Sequence, residues 1–182
     1  MSFEPAEIEG VQVFSLPALS SQRHLNILLN LVKIRRLVKK IAPDILHAHY
    51  VTSYGLAGAI CSIRPYVATA WGCDVFTSPE KSILYRLMVK WVLGRADLVT
   101  SMADHMTAFM NMRGYSERER ILTLPFGVNT GEFHPGFRLP RQEDAPFMVL
   151  STRKLDQVYD VETFVRAMPL VIKRYPSVRF VI

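Results

Sequence analysis

The 182-residue sequence predicts an α/β fold: a Rossmann-like parallel sheet flanked by helices. Three observations carry this expectation. Short runs rich in Val, Ile and Leu alternate with longer amphipathic stretches. Turn residues separate them. The chain is also 49% hydrophobic, enough for a packed core and too much for disorder. Parallel strands are buried on both faces and read as near-continuous apolar runs, and each needs a crossover helix to reach its neighbour.

The elements follow in order. "VQVFSLP" reads as a short strand and "NILLNLVKIRRLVKKIA" as a helix. In that helix Ile27, Leu31, Ile34, Val38 and Ile41 recur at three- and four-residue steps, while Lys33, Arg36 and Lys40 line another face. Next come strand "DILHAHY", helix "SYGLAGAICSI", strand "YVATAW", and the long helix "SILYRLMVKWVLGRA" ending near Gly94. Strand "DLVTSMA", helix "DHMTAFMNMRG" closed by Gly114, and strand "RILTLPFG" complete the series. The segment "FHPGFRLPRQEDAP", with three prolines and mixed charge, then reads as a linker. After it "FMVLSTRKLDQVYDVETFVRAMPLVIKRYPSVRFVI" gives strand, loop, helix and strand, one βαβ unit. A piece that short cannot bury a stable core alone. The expected organisation is residues 1–134 as a partial Rossmann-like domain, 135–145 as linker, and 146–182 as the start of a second domain.

The formal charge of +6 invites a nucleic-acid partner, but much of the excess sits on the one basic helix, with no aromatic residue interleaved. No nucleic-acid partner is expected. That helix, residues 26–42, reads either as a core helix with a solvated back or as a face resting on anionic lipid. Cys61 and Cys73 make neither a disulfide framework nor a CxxC site, which fits a reducing compartment. The acidic start "MSFEPAEIEG" shows no signal peptide, and the apolar run "LAGAICSI" is too short to span a bilayer. A cytoplasmic location is expected, with peripheral contact at the inner face of the membrane as its extension.

Several constellations carry potential chemistry, each beside a plainer alternative. His47 and His49 share one side of a strand and stand at its carboxyl end, where open α/β sheets bind ligands. They read as a polar pocket wall or as core packing. A metal site would need a third ligand, and only Cys73 or Asp74 offers one, so no metal is expected. In "TAWGCDVF", Gly72 permits a positive φ or close ligand approach, Trp71 forms a wall, and Asp74 either projects into the crevice or caps the next turn. "LPFGVNTGEFHP", with Gly127 and Asn129, is a crossover loop or a hinge. In "STRKLDQVYDVETF", Arg153 and Lys154 stand before a helix starting near Asp160, a possible seat for a diphosphate or an ordinary surface pair. GxGxxG, the Walker phosphate loop and GxSxG are all absent from the sequence.

Taken in order, "PDILHAHY", "ATAWGCDVF", "RADLVTSMADHMTAFMNMRG", "ILTLPFGVNTGEFHP" and the final block resemble the family-four glycosyltransferases of the GT-B fold, over about Gly10 to Ile182. The resemblance implies two Rossmann-like domains that move a sugar from a nucleotide-sugar donor to an acceptor, with retention and without a metal or other cofactor. It implies a UDP- or GDP-linked donor and a glycan or lipid acceptor. His47, Tyr50, Tyr54, Trp71 and Gly72 would lie on the acceptor side, with His49 and Asp74 as catalytic groups. Arg153 would hold the donor diphosphate with Lys154, Gly127 and Asn129 nearby. The sequence departs from the family pattern at Trp71, where a histidine is usual, and at Tyr159, where a phosphate-binding lysine is usual. The family's spaced glutamate pair and its Gly-rich first loop are absent. The chain therefore reads as a middle slice, expected to lack transferase activity alone. The alternatives are a GT-B-fold nucleotide-sugar epimerase and a non-catalytic α/β module binding lipid through the basic helix.

Overall fold

A computed structural model describes residues 9–21, 23–137 and 145–182. The chain divides into two compact units, Met1–Gly127 and Val128–Ile182. Most of the expected linker, residues 138–144, lies outside the described residues.

In the first unit α1 (Arg23–Ile41) leads into β1 (Leu46–His49), a π-helical turn (Val51–Gly55) and α2 (Leu56–Cys61). Then follow β2 (Tyr66–Thr69), the short α3 (Cys73–Phe76) and α4 (Ser78–Lys81), and α5 (Ile83–Arg95). β3 (Leu98–Ser101), α6 (Asp104–Met112) and β4 (Ile121–Thr123) complete the unit. The four strands are parallel in the order β1-β2-β3-β4, so each crossover moves the chain one place along the sheet. In register, His49 lies beside Thr69 and Thr69 beside Thr100.

Side chains alternate across the sheet. One face carries Ala48, Tyr66, Ala68, Ala70 and Val99, which join Val51, Val89, Val92, Leu93, Met106 and Met110 in the core. The small alanines let the helices approach closely. Gly58 on α2 shows how tight this is: a Cβ there would meet Tyr66 Cε2 at 2.7 Å. Tyr66 is fixed in turn, because its hydroxyl donates to the Gly55 carbonyl at 2.7 Å. Burial pushes that phenol strongly up from its ordinary value. Asp97 clamps the start of β2 by accepting from the Tyr66 N–H at 2.7 Å, and it pairs with Arg64. The opposite face carries His47, His49, Val67, Thr69, Leu98, Thr100 and Leu122, of which Leu122 and both histidines are exposed.

Two expectations are corrected here. Residues 11–17 form no strand, and Val11, Val13, Phe14 and Leu16 stay exposed. A period-two pattern becomes a strand only with a ladder partner, and β1 pairs with β2 alone. The segment that follows is tethered to α1, where Asn26 Oδ1 accepts from the N–H groups of Leu19 and Ser20 and Asn30 Nδ2 donates to the Pro17 carbonyl. On α1 the inward face runs through Ile27 and Asn30, both buried, whereas Ile41 is 46% exposed. α5 ends at Arg95, next to Gly94, as expected.

The second unit pairs β5 (Met148–Leu150) with β6 (Arg179–Val181) in parallel, joined through α7 (Val161–Arg174). Asp160 caps α7, its carboxylate accepting from the Thr163 N–H at 3.4 Å. Phe164 packs edge-on against Phe180. Val161 is the one described hydrophobic residue of this unit in the buried class.

Candidate functional site

The site grows from the carboxyl ends of β1 and β2. Both strands leave through an unusual backbone. Tyr50, directly after β1, has φ 75°, and Gly72, after β2, has φ 110°. Glycine accepts such a φ freely, whereas a tyrosine there costs of order 1–3 kcal/mol. Strain of that kind persists only where the surroundings enforce it.

Asp74 does the enforcing. Its Oδ2 accepts from the Val51 N–H at 2.8 Å and its Oδ1 from the Trp71 N–H at 3.0 Å, so one carboxylate ties the loop after β1 to the loop after β2. The residue is 0% exposed. Burial pushes its carboxyl up, while N–H groups of Val51, Trp71, Asp74 and Gly72 pull it down. The expectation that Asp74 projects into the crevice is thereby corrected: the side chain turns inward and is consumed by backbone donors. It positions the site and does not face a substrate.

Above this tie runs a row of rings. His47 and His49 lie 4.3 Å apart between centroids, His49 meets Trp71 at 6.0 Å, and Trp71 meets Phe126 edge-on at 5.0 Å. Trp71 is 49% and Phe126 60% exposed. Exposed aromatic residues in a continuous row mark a binding surface. His47 is anchored from below, its Nε2 lying 2.6 Å from Thr69 Oγ1, which lies 2.6 Å from Thr100 Oγ1. Burial lowers the His47 pKa from its ordinary 6.5, and the charge of His49 lowers it further. Tyr54, exposed on the π-helical turn, shares with both histidines a hollow of about 590 Å³ whose other walls come from α1, α2, Leu16, Leu46 and Ala48.

The structure thus gathers His47, His49 and Trp71 into one surface, with Tyr54 lining the adjoining hollow and Tyr50 and Gly72 shaping the loops. Sequence reasoning missed Thr69, Thr100 and Phe126. The two threonines share the side-chain period of the histidines, a signal that needs the strand register to be read. Phe126 sits beside Gly127 in a stretch whose glycines and asparagine drew the attention.

Gly127 closes the first unit, and Asn129 is the second residue of the second, which starts at Val128. Asn129 Oδ1 accepts from the Gly131 N–H at 3.0 Å, so it serves a local turn. In the second unit Arg153 and Lys154 are both exposed. The Arg153 guanidinium lies over the Tyr159 ring at 5.4 Å, and Lys154 pairs with Asp156 at 3.6 Å. A hollow at the start of α7 is lined by Asp156, Asp160 and Glu162, so that helix end is already furnished with carboxylates. Three carboxylates thus stand at the helix start beside the expected diphosphate seat, with the Arg153 and Lys154 side chains in the loop before it. Among the described residues there is no group of three or more His, Cys, Asp and Glu side chains placed to hold a metal ion.

Comparison with known proteins gives this geometry a family. A model of the "Glycosyl transferase 4-like" family matches residues 3–103. An uncharacterized glycosyltransferase of Methanocaldococcus jannaschii is 24% identical over 132 residues, covering 70% of this chain and 36% of that protein. A crystal structure from Listeria monocytogenes, described as a candidate UDP-N-acetylglucosamine 2-epimerase, superposes with TM-score 0.56 at 10% identity. That match covers 91% of this chain and 47% of the other. The chain therefore spans about a third of the curated relative and about half of the structural neighbour. With more than half of its length matched by the family, and the expected parallel α/β sheet in place, this chain belongs to the glycosyl transferase 4-like family.

Proposed function

We propose that this chain contributes the acceptor-side surface and the donor-diphosphate loop of a glycosyltransferase that uses a UDP- or GDP-linked sugar. The observation that carries the reading is the row His47–His49–Trp71–Phe126, held by a buried carboxylate and two buried threonines in a chain of this family. Sugars present both apolar ring faces and dense hydroxyl groups. An exposed indole and phenyl ring suit the former, and imidazole and phenol groups suit the latter.

When a nucleoside diphosphate departs, negative charge builds on its phosphates and must be met by fixed cations. Arg153 suits this role. Stacking on Tyr159 orients its guanidinium and leaves its N–H edge for an anion. Lys154 adds a second cation once it exchanges Asp156 for phosphate. Transfer with retention and without a metal follows from the resemblance and belongs to this proposal. So do a glycan or lipid acceptor and a cytoplasmic setting. His49 is the imidazole beside Trp71, 6.0 Å away between ring centroids, and is proposed to contact the reacting acceptor. Because this chain spans about a third of its curated relative, turnover is assigned to the longer protein and binding alone to the 182 residues. Isothermal titration with UDP, GDP and their sugars tests the reading: at least one gives saturable heat, and silence from all of them overturns it.

The epimerase alternative gains only a shared fold from the Listeria structure, and Asp74 is no free carboxylate for proton transfer. Contact of residues 26–42 with anionic membrane is a further part of the proposal. It is supported by exposed Leu25, Leu28, Leu29 and Val32, followed along α1 by exposed Lys33, Arg36 and Lys40. No helix among the described residues is long and apolar enough to cross a membrane. Co-sedimentation with anionic vesicles that weakens with salt is the expected result, and no binding removes this partner.

A further inference from the structure

The hydroxyl chain under His47 has a direction, and that direction decides what His47 offers to a ligand. Three groups stand in line across β1, β2 and β3: His47 Nε2, Thr69 Oγ1 and Thr100 Oγ1, with both spacings 2.6 Å. Each hydroxyl has one proton to give. If His47 carried its proton on Nε2, it would donate to Thr69, Thr69 would donate to Thr100, and the Thr100 proton would need a further acceptor. Thr100 is only 8% exposed, and no other acceptor for its hydroxyl stands among the described residues. In the opposite sense Thr100 donates to Thr69 and Thr69 donates to a lone pair on His47 Nε2. Every hydroxyl proton is then used within the chain. A chain running one way also strengthens each of its bonds by mutual polarisation.

We propose that Thr69, itself anchored by Thr100, is a positioning residue that holds His47 as the neutral Nδ1–H tautomer, so that it presents a hydrogen-bond donor, and not a base, to the bound ligand. The assignment of Nδ1 as donor toward an acceptor hydroxyl oxygen rests on the glycosyltransferase reading; the direction of the chain does not. Protonating His47 would leave one of the two hydroxyl protons without an acceptor among the described residues. That cost would add to burial and the neighbouring His49 charge, which already lower the His47 pKa. His49 has no such anchor: among the described residues its contacts are ring contacts with His47 and Trp71. The two histidines, identical in type and adjacent on one face, thus take different parts, one fixed donor and one adaptable ring.

Long-range proton–nitrogen NMR of the histidine-labelled 182-residue chain reads the tautomer directly, at a pH where His47 is neutral. The expected spectrum has His47 protonated at Nδ1 and bare at Nε2. Thr69→Val removes the hydroxyl that donates to Nε2 and should shift His47 toward the Nε2–H form that free imidazole side chains favour. Thr69→Ser keeps the hydroxyl and should leave the wild-type spectrum unchanged. In Thr100→Val the Thr69 proton has His47 Nε2 as its remaining partner, so the tautomer should stay as in the wild type, and this variant decides the matter if Thr69→Val fails to fold. An Nε2–H tautomer in the wild type or in Thr100→Val overturns the proposal, and so does one tautomer common to wild type and Thr69→Val. If the tautomer is as proposed while no nucleotide or nucleotide sugar binds, the hydrogen-bond direction stands and the transferase reading falls. If nucleotides bind but His47 is Nε2–H, the reverse holds.

Discussion

The loops after β1 and β2 are proposed to meet the acceptor and the loop after β5 the donor diphosphate, and they are built in opposite ways. In the first unit His47 and the two loops beside it rest on buried side chains. Asp74 at 0% exposure ties two loops, and Thr69 and Thr100 at 5% and 8% support His47. In the second unit Arg153 and Lys154 are exposed and held only by their own neighbours Tyr159 and Asp156. The lesson is that the two binding tasks tolerate different supports. Ring stacking and single hydrogen bonds need fixed geometry, which suits the proposed acceptor surface. A diphosphate is a strong, multidentate anion that can order two flexible cations as it binds.

That contrast predicts a graded series of substitutions. The largest effect falls on Asp74→Ala, which strands two backbone N–H groups and should lower unfolding stability by about 2–4 kcal/mol. The deficit should also depend on pH. Because the Asp74 carboxyl is pushed above its ordinary 3.8, the wild type gains stability as the pH falls through that raised value toward 3.8. Denaturant titrations should therefore show the gap between wild type and variant widening on acidification. A gap that is constant, or absent, would mean the tie does not hold the loops.

Next in size is Gly58→Ala. Its new Cβ would meet Tyr66 at 2.7 Å, and Tyr66 cannot swing away without losing its bond to Gly55. Overpacking of this sort costs about 1–3 kcal/mol, read as a lowered melting temperature. A neutral outcome would show that the core under the site is softer than its packing indicates.

Smaller still is the contribution of His47. Its folded pKa lies below 6.5, so the folded state resists protonation there. Stability should fall as the pH drops from 6.5 through that lowered value, and the decline should shrink in His47→Gln. Smallest of all is Lys154→Ala, which removes an exposed pair with Asp156 and should change stability by less than about 0.5 kcal/mol. A large loss there would erase the contrast between the two units.

Much of the fold was legible because hydrophobic runs report burial directly. The parallel strands from Leu46 to Thr123 and helices α5 and α6 stand close to where the apolar pattern puts them. Residues 11–17 show the limit, since the pattern carries strand propensity but not the presence of a partner. The site divides in the same way. The histidines, Trp71 and Arg153 are unusual enough in type and place to be found in the text of the chain. Asp74 could be read as facing the crevice or as a cap, and only the fold reveals the two N–H groups that claim it. Thr69 and Thr100 look like any strand threonines until the register sets them side by side.

The most direct test of the account is the affinity of UDP and GDP for the wild type, Arg153→Ala and Trp71→Ala, measured by calorimetry under identical salt. The account predicts that Arg153→Ala weakens whichever nucleotide binds by about tenfold or more, close to 1.4 kcal/mol, while Trp71→Ala leaves it unchanged. Nucleotide affinity that ignores Arg153 and follows Trp71 would contradict it.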